Sequence, residues 1–288
     1  MPKIKYKDIK IRKSGLDIIN HVNTIIDDYR QQGYNLTLRQ VYYQLVSKNI
    51  ITNSEKSYDN LGYTIGNGRL AGLIDWKAIE DRTRYVRALN HWDNPAEIIQ
   101  TAAESYNIDL WQKQRYYIET WVEKDALIGI IEQTANRYDV PCFSCRGYGS
   151  LSEYWKAAQR FINHNDIGKE CIILHLGDHD PSGVDMTRDI RERLAMFGAD
   201  VDIKRIALNM PQITQYNPPP NPAKKTDKRS AGYIAKYGAS SWELDALEPK
   251  VLDQLISDNI EKYLDRVAFE QAKIRQEEER QIIMNLAV

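Results

Sequence analysis

The chain has 288 residues, of which 42% are hydrophobic, and a formal net charge of −1. This length allows roughly two domains, each with a core of its own. No apolar run approaches the roughly 20 residues of a membrane span, and the N-terminus alternates Lys with Ile or Tyr instead of forming a signal peptide, so a soluble cytoplasmic protein with no membrane partner is expected. Residues 1–87 nevertheless carry 15 Lys and Arg against 9 Asp and Glu, an excess that favours contact with a polyanion.

The first predicted elements are a basic arm or edge strand and an amphipathic helix. The arm covers residues 1–14, where lysines alternate with apolar residues. Apolar residues then recur at helical spacing from Leu16 to Tyr29, and Gly33 supplies a stop signal.

The segment 37–48 predicts a second helix with an exposed polar face. Thr37 opens a capping-box pattern, which places the helix start there. At about 100° per residue, Tyr42 falls within the apolar stripe, whereas Tyr43 and Arg39 fall together on the opposite side. We therefore expect Tyr42 in the core and Tyr43 beside Arg39 on the surface.

Residues 58–70 predict a further helix, and residues 76–86 alternate polar and apolar residues as a strand pair or wing would. Two helices followed by a basic strand form the plan of a winged helix-turn-helix domain, whose second helix enters the DNA groove. On this plan the candidate DNA contacts are Arg69, Lys77, Arg82 and Arg84.

From residue 115 onward, strands and helices alternate. Strands are predicted at 116–122, 141–147, 171–177 and 201–207, and helices at 125–138, 150–163 and 181–196. This order predicts a parallel sheet with helices on its faces. The expected fold class is therefore α/β, with an N-terminal winged-helix domain, a parallel α/β domain and a helical C-terminal tail.

The last part of the chain is expected to be a linker and a tail. Half of the ten prolines lie between Pro211 and Pro222, next to a basic cluster, as in a polyproline linker or an exposed loop. From about residue 241 a charged helical pattern runs to the end. The predicted domains are a basic arm with a winged helix over residues 1–110, a metal-binding domain over 111–212, and the linker and tail over 213–288.

Three carboxylates are expected to meet at one edge of the predicted sheet. Asp178 and Asp180 follow a strand and, being two residues apart, point the same way. Glu123 ends another strand, and ligands of open parallel sheets bind at the carboxyl ends of the strands. Carboxylate oxygens at such a place suit a hard divalent cation. Asp180 is also placed to cap the helix that begins at Pro181.

Three motifs together resemble a Toprim domain, the metal-binding unit shared by topoisomerases, bacterial primases and several nucleases. They are Glu123 in WVEKDAL, the glycine loop RGYGS and the DHDPSG turn that begins at Asp178, in this order. The earlier stretch RQVYY, from Arg39 to Tyr43, resembles the nucleophile motif of the topoisomerase VI A subunit and of its relative, the meiotic double-strand-break transesterase. In that family the motif lies on a winged-helix domain that precedes Toprim, and the resemblance covers residues 36–210.

The resemblance implies a chemistry, a cofactor and partners. The second tyrosine of the motif maps onto Tyr43 and would attack DNA to give a 5′-phosphotyrosyl link, while Arg39 would neutralise charge that develops beside it. Glu123, Asp178 and Asp180 would hold Mg²⁺. The implied partner is double-stranded DNA, with a nucleoid-associated location and a homodimer in which Tyr43 of one subunit serves the metal site of the other. Strand passage would require a separate ATPase subunit.

Two alternatives remain open. If Tyr43 is idle, the same carboxylates serve a nuclease that uses metal-activated water. A DNA-binding module of a mobile element, without catalysis, is the other alternative. Arg146, in the turn after the second strand, is a further candidate for phosphate contact, although a tight turn explains the neighbouring Gly147 equally well.

Overall fold

The computed structural model describes residues 3–80, 89–223 and 226–287. The α-helices in these ranges are α1 (Lys13–Gln31), α2 (Leu38–Ser47), α3 (Glu55–Leu70), α4 (Pro95–Ser105), α5 (Ile128–Arg137), α6 (Leu151–Asp166), α7 (Pro181–Met196), α8 (Met210–Tyr216), α9 (Ser230–Tyr237), α10 (Pro249–Ile260) and α11 (Arg266–Met284). The strands are β1 (Tyr116–Val122), β2 (Cys142–Ser144), β3 (Glu170–Leu176), β4 (Val201–Ala207), β5 (Asn221–Pro222) and β6 (Ser240–Ser241). In the described part of the chain, no helix has the length and apolar character needed to cross a bilayer.

A parallel sheet in the order β2-β1-β3-β4 organises the molecule. In its register Thr120 pairs with Cys142, and Val122 pairs with Leu176. The predicted parallel sheet is confirmed, and β1, β4 and α7 have the predicted bounds. The predicted helix at 125–138 begins instead as a short 3₁₀ turn, Asp125–Leu127, before α5.

The two faces of the sheet bury different residues, as the alternation of side chains along a strand requires. On one face Val122 and Leu174 belong to a core that also takes residues of α1, α2, α5 and α10. On the other face Trp121 and Ile173 pack with residues of α6 and α7. Each fully buried aliphatic or aromatic side chain contributes about 1.5–3 kcal/mol, so both layers hold the sheet in place.

The N-terminal part of the chain is helical, and α2 packs against both α1 and α3. The predicted arm lies along the end of α3, where Lys5 bridges Ala71 and the Tyr6 amide donates to the Leu70 carbonyl at 2.8 Å. Part of the expected wing, residues 81–86, lies outside the described residues. The finer winged-helix assignment therefore stays a prediction.

The Pro-rich segment is a folded part of the molecule and not a linker. α8 carries proline in its first turn, and β5 pairs antiparallel with β6 around α9. Asn53, in the loop after α2, donates to the Pro220 carbonyl at 3.3 Å. Downstream of the Pro-rich segment, α10 packs against α5 and β4 on one side of the sheet. The predicted helical character after residue 241 is confirmed by α10 and α11.

Candidate active site

A cavity of about 880 Å³ opens beside the carboxyl ends of β1 and β3. Three separate parts of the chain line it: Arg39, Tyr42, Tyr43, Asn53, Ser54, Glu55, Tyr58 and Asp59; Glu123, Lys124, Asp178, Asp180 and Ser182; and Asn221, Pro222, Ser241, Trp242 and Glu243. Six of these side chains are acidic and two are basic. A polyanion can enter such a cavity only if bound cations offset that charge.

The register of the sheet places Glu123 beside Asp178. The Glu123 amide donates to the Leu176 carbonyl at 2.9 Å, which continues the β1–β3 ladder by one residue. The Glu123 side chain then turns back, and its Oε2 accepts from the Asp178 amide at 2.9 Å. Burial raises the pKa of the Glu123 carboxyl above its ordinary value, and nearby Asp180 adds to the increase. The Glu123 carboxylate is thus linked to the backbone of Asp178, a second residue of the predicted set, through one hydrogen bond.

The glycine of the DHDPSG turn has a steric cause. A Cβ on Gly183 would lie 2.3 Å from the Asp178 carbonyl oxygen and 2.8 Å from Glu123 Oε2. A side chain at this position would therefore push α7 away from the strand end. The predicted cap is confirmed, since Asp180 Oδ1 accepts from the Gly183 amide at 2.6 Å and from Ser182 Oγ at 3.1 Å.

The segment after β6 brings two further carboxylates to the turn. His179 and Trp242 form an antiparallel bridge, with N···O distances of 2.8 and 3.0 Å. The Leu244 amide donates to Asp178 Oδ1 at 2.8 Å. These bonds place Glu243 beside Asp178 and bury Asp245 behind it.

Sequence reasoning missed Glu243 and Asp245, although a signal existed. Their i, i+2 spacing repeats that of Asp178 and Asp180, the spacing at which an extended segment points two carboxylates one way. The surrounding residues instead suggested the start of a solvated helix. His179, between the two aspartates of the turn, is buried, and Tyr233 Oη lies 2.7 Å from its Nδ1.

Asp178, Glu243 and Asp245 form a buried acidic triad that could hold a metal ion. An oxygen of each lies within 4.8 Å of an oxygen of the other two. The donors are all carboxylate oxygens, which suit a hard divalent cation. Asp245 Oδ2 is buried and, in the described part of the chain, accepts no hydrogen bond, so one ligand atom is unused. This triad differs from the predicted set, because it takes Asp178 from that set and its other two members from the C-terminal segment.

Lys124 is the internal counter-ion of the acidic triad. Its Nζ lies 2.9 Å from Asp178 Oδ2 and 3.2 Å from Asp245 Oδ1, and it also pairs with Glu243. Burial opposes the ammonium charge, yet Asp245, Asp178 and Glu243 raise the pKa of Lys124 above its ordinary value.

One ammonium cannot balance three buried carboxylates, so their pKa values separate. Burial raises the pKa of Asp178 to about 8 and also raises that of Asp245, despite the attraction of Lys124. Burial likewise opposes ionisation of Glu243, but Lys124 outweighs it and lowers the pKa of that carboxyl. At neutral pH the metal-free Asp178 therefore retains most of its proton, whereas Glu243 carries a negative charge.

Metal binding at the triad is expected to release about one proton at pH 7, because carboxylates bind metals in the ionised form. Titration calorimetry with Mg²⁺ in buffers of different ionisation enthalpy measures that number, which should fall above pH 8. Without metal, the folded chain holds the Asp178 proton more tightly than the unfolded chain. The free energy of unfolding should therefore decrease as the pH rises from about 4 to about 8. No proton release at pH 7 would contradict the protonated state of the triad.

Tyr43 is buried, which corrects the prediction of an exposed side chain. Its exposed fraction is 4%, equal to that of Tyr42, which was correctly predicted to be in the core. The predicted apolar stripe was too narrow, because α2 is covered on a second side by the 3₁₀ turn Leu244–Ala246. Tyr43 nevertheless borders the cavity. Burial raises the pKa of its phenol well above the ordinary value, and Asp245 and Glu243 raise it further.

Arg39 lies at the mouth of the cavity, with 46% of its side chain exposed, as predicted. Its guanidinium is 3.9 Å from both Glu243 and Asp245. Although burial opposes it, these carboxylates raise the pKa of Arg39, so its charge is permanent. The capping box that starts α2 at Thr37 is confirmed, so Arg39 lies in the first turn of this helix.

The other predicted DNA contacts that the structure describes, Arg69, Lys77 and Arg146, do not line the cavity. Arg69 is half-buried and its guanidinium donates to the carbonyls of Trp76 and Ile79. Lys77 is exposed, and Arg146 is 75% exposed with its Nε 3.1 Å from Asp125. Arg82 and Arg84 lie outside the described residues. A role in DNA binding stays a prediction for all five.

Comparison of the chain with protein-family models, with curated proteins and with solved structures finds no match.

Proposed function

We propose that the protein is a Mg²⁺-dependent DNA-breaking transesterase that resembles the topoisomerase VI A subunit. One observation carries the proposal: Tyr43 and Arg39, from α2, line the same cavity as Glu123, Asp178 and Asp180, from the sheet. The nucleophile motif and the metal-binding motif thus meet in space although they are far apart in sequence.

The side chains that line the cavity suit cleavage of a DNA phosphodiester by the tyrosine hydroxyl. Tyr43 Oη attacks the phosphorus, the bond from phosphorus to the 3′ oxygen breaks, that oxygen takes up a proton, and the 5′ phosphate remains on the tyrosine. Glu243 lines the cavity together with Tyr43 and is placed to accept the phenol proton. Arg39 offers a permanent positive charge to the phosphate oxygens. A divalent cation held by the triad would supply further positive charge, which favours both the bound phosphate and the ionised phenol.

The proposal extends to partners. One site breaks one strand, so a double-strand break requires two copies of the chain, which we propose to be a homodimer on double-stranded DNA. Strand passage would then require a separate ATPase subunit. Within one chain, Tyr43 already lies beside the metal-binding residues, whereas the resemblance implies that it serves the metal site of the other subunit.

Incubation with supercoiled DNA and Mg²⁺, followed by denaturation in detergent, is expected to trap protein covalently attached to 5′ DNA ends. Exonucleases specific for each end identify the blocked one, and EDTA added before the DNA should prevent trapping. Cleavage that leaves free ends would overturn the transesterase in favour of hydrolysis. DNA binding without cleavage would favour a non-catalytic module.

A nuclease that uses metal-activated water is the second candidate, and a specific observation favours it. Tyr43 is only 4% exposed, and its burial among carboxylates makes the phenol harder to ionise. Water reaches an open acidic cavity more easily than a buried phenol reaches a phosphodiester. The triad and Glu123 would then hold the cation, and Tyr43 would be a packing residue.

A further inference from the structure

Lys124 occupies the place that a metal ion would take. Its ammonium contacts all three members of the triad, at 2.9 Å from Asp178, at 3.2 Å from Asp245 and in an ion pair with Glu243. A divalent cation needs its carboxylate ligands at about 2.0–2.6 Å. The ammonium and the cation therefore compete for the same oxygen atoms.

Two observations indicate that the acidic triad can bind more positive charge than Lys124 supplies. The triad has three carboxylates for one ammonium, and the next cation, Arg39, stays 3.9 Å away. In addition, Asp245 is 98% buried, yet its Oδ2 accepts no hydrogen bond from any described residue. A buried carboxylate oxygen without a partner is costly unless a ligand completes it.

We propose that Lys124 is a resident counter-cation that a divalent metal ion displaces from the triad. Without metal, Lys124 offsets the negative charge of the triad. With metal, its ammonium is released toward the cavity, which it already lines together with Arg39 and Tyr43. The charge of Lys124 then becomes available to a phosphate group, beside that of Arg39, only when the metal is bound. The inference rests on the metal site of the proposed function, but not on DNA cleavage.

Amine labelling of the wild-type protein tests the displacement directly. A short pulse of an acetylating reagent, read by mass spectrometry, should modify Lys124 several-fold more in Mg²⁺ or Mn²⁺ than in EDTA. Lys113, which is exposed, serves as the internal control and should not change. Labelling of Lys124 that is unchanged or reduced by metal would overturn the proposal, as would the absence of metal binding.

Removal of the competing charge is the second test. Lys124→Met keeps an unbranched side chain as far as Cε, removes the ammonium, and should bind Mn²⁺ about tenfold or more tightly than the wild type, as measured by calorimetry without DNA. Lys113→Met is the matched control and should bind like the wild type. If Lys124→Met is unfolded without metal, Mn²⁺ should restore its circular dichroism and raise its melting temperature more than that of the wild type.

The outcomes separate this inference from the proposed function. Equal or weaker metal binding by folded Lys124→Met would mean that Lys124 supports the site and does not compete for it. Metal-dependent labelling of Lys124 in a protein that never attaches to DNA would keep the inference and reject the transesterase. Covalent DNA adducts together with unchanged labelling of Lys124 would support the transesterase and reject the displacement of Lys124 by metal.

Discussion

Tyr43→Phe is expected to lower the yield of protein-linked DNA by at least about a thousandfold. Removal of a catalytic nucleophile lowers the rate of an enzyme by this factor or more. The change removes only the hydroxyl, while the ring keeps its contact with Tyr42, whose centroid lies 5.2 Å away. The buried ring stays in place, so the fold should survive. Trapping in detergent measures the adduct, and thermal unfolding checks the fold.

Tyr63→Phe is the matched control for this substitution. Tyr63 lies on α3 with 75% of its surface exposed, and the variant should form adducts at the wild-type level. Adducts that persist in Tyr43→Phe would exclude Tyr43 as the nucleophile. Strand breaks without adducts in both wild type and variant would assign the cleavage to water.

Asp178→Asn is expected to weaken Mg²⁺ binding by more than about 100-fold and to abolish cleavage, since Asp178 belongs to the metal-binding set of both the sequence and the structure. The fold should tolerate the change. An amide oxygen can still accept from the Leu244 amide, and burial already keeps the carboxyl largely protonated at pH 7. Calorimetry with Mg²⁺ measures the loss.

Asp202 is an exposed aspartate on β4. The variant Asp202→Asn is the control for charge removal and should bind Mg²⁺ as tightly as the wild type does. Full Mg²⁺ affinity in Asp178→Asn would place the metal elsewhere.

Asp178→Asn also tests which subunit supplies the tyrosine. A mixture of Asp178→Asn with Tyr43→Phe should stay inactive, because both residues line one cavity of one chain. Restored cleavage would mean that Tyr43 serves the metal centre of the other subunit.

The parallel sheet was predictable because its signals are local. Apolar runs, alternation and helix caps are written in neighbouring residues, and β1, β4 and α7 were placed with their observed bounds. The cap at Asp180 and the start of α2 at Thr37 depend on bonds that span three residues, so their patterns were sufficient. The junction of Glu123 with Asp178 followed from a general rule of parallel sheets.

The environment of Tyr43 was not predictable in this way. A helical wheel identifies the most apolar face, but it cannot show that a second segment covers the adjacent face. The 3₁₀ turn Leu244–Ala246, about 200 residues later, packs there and buries the tyrosine. The Pro-rich stretch was misjudged for the same reason, since its place depends on pairing with β6 and on contacts with the loop after α2.

The sequence by itself determined the α/β fold class, the strand-end positions of Glu123 and Asp178, and the start of the helix that carries Tyr43. Only the tertiary structure decided that Glu243 and Asp245 join Asp178, that Lys124 lies among them, and that Tyr43 is buried beside them. The physical reason is the range of the interactions. Caps and strands are set by neighbouring residues, whereas the acidic cluster and its charge balance depend on the bridge from His179 to Trp242, which no local pattern encodes.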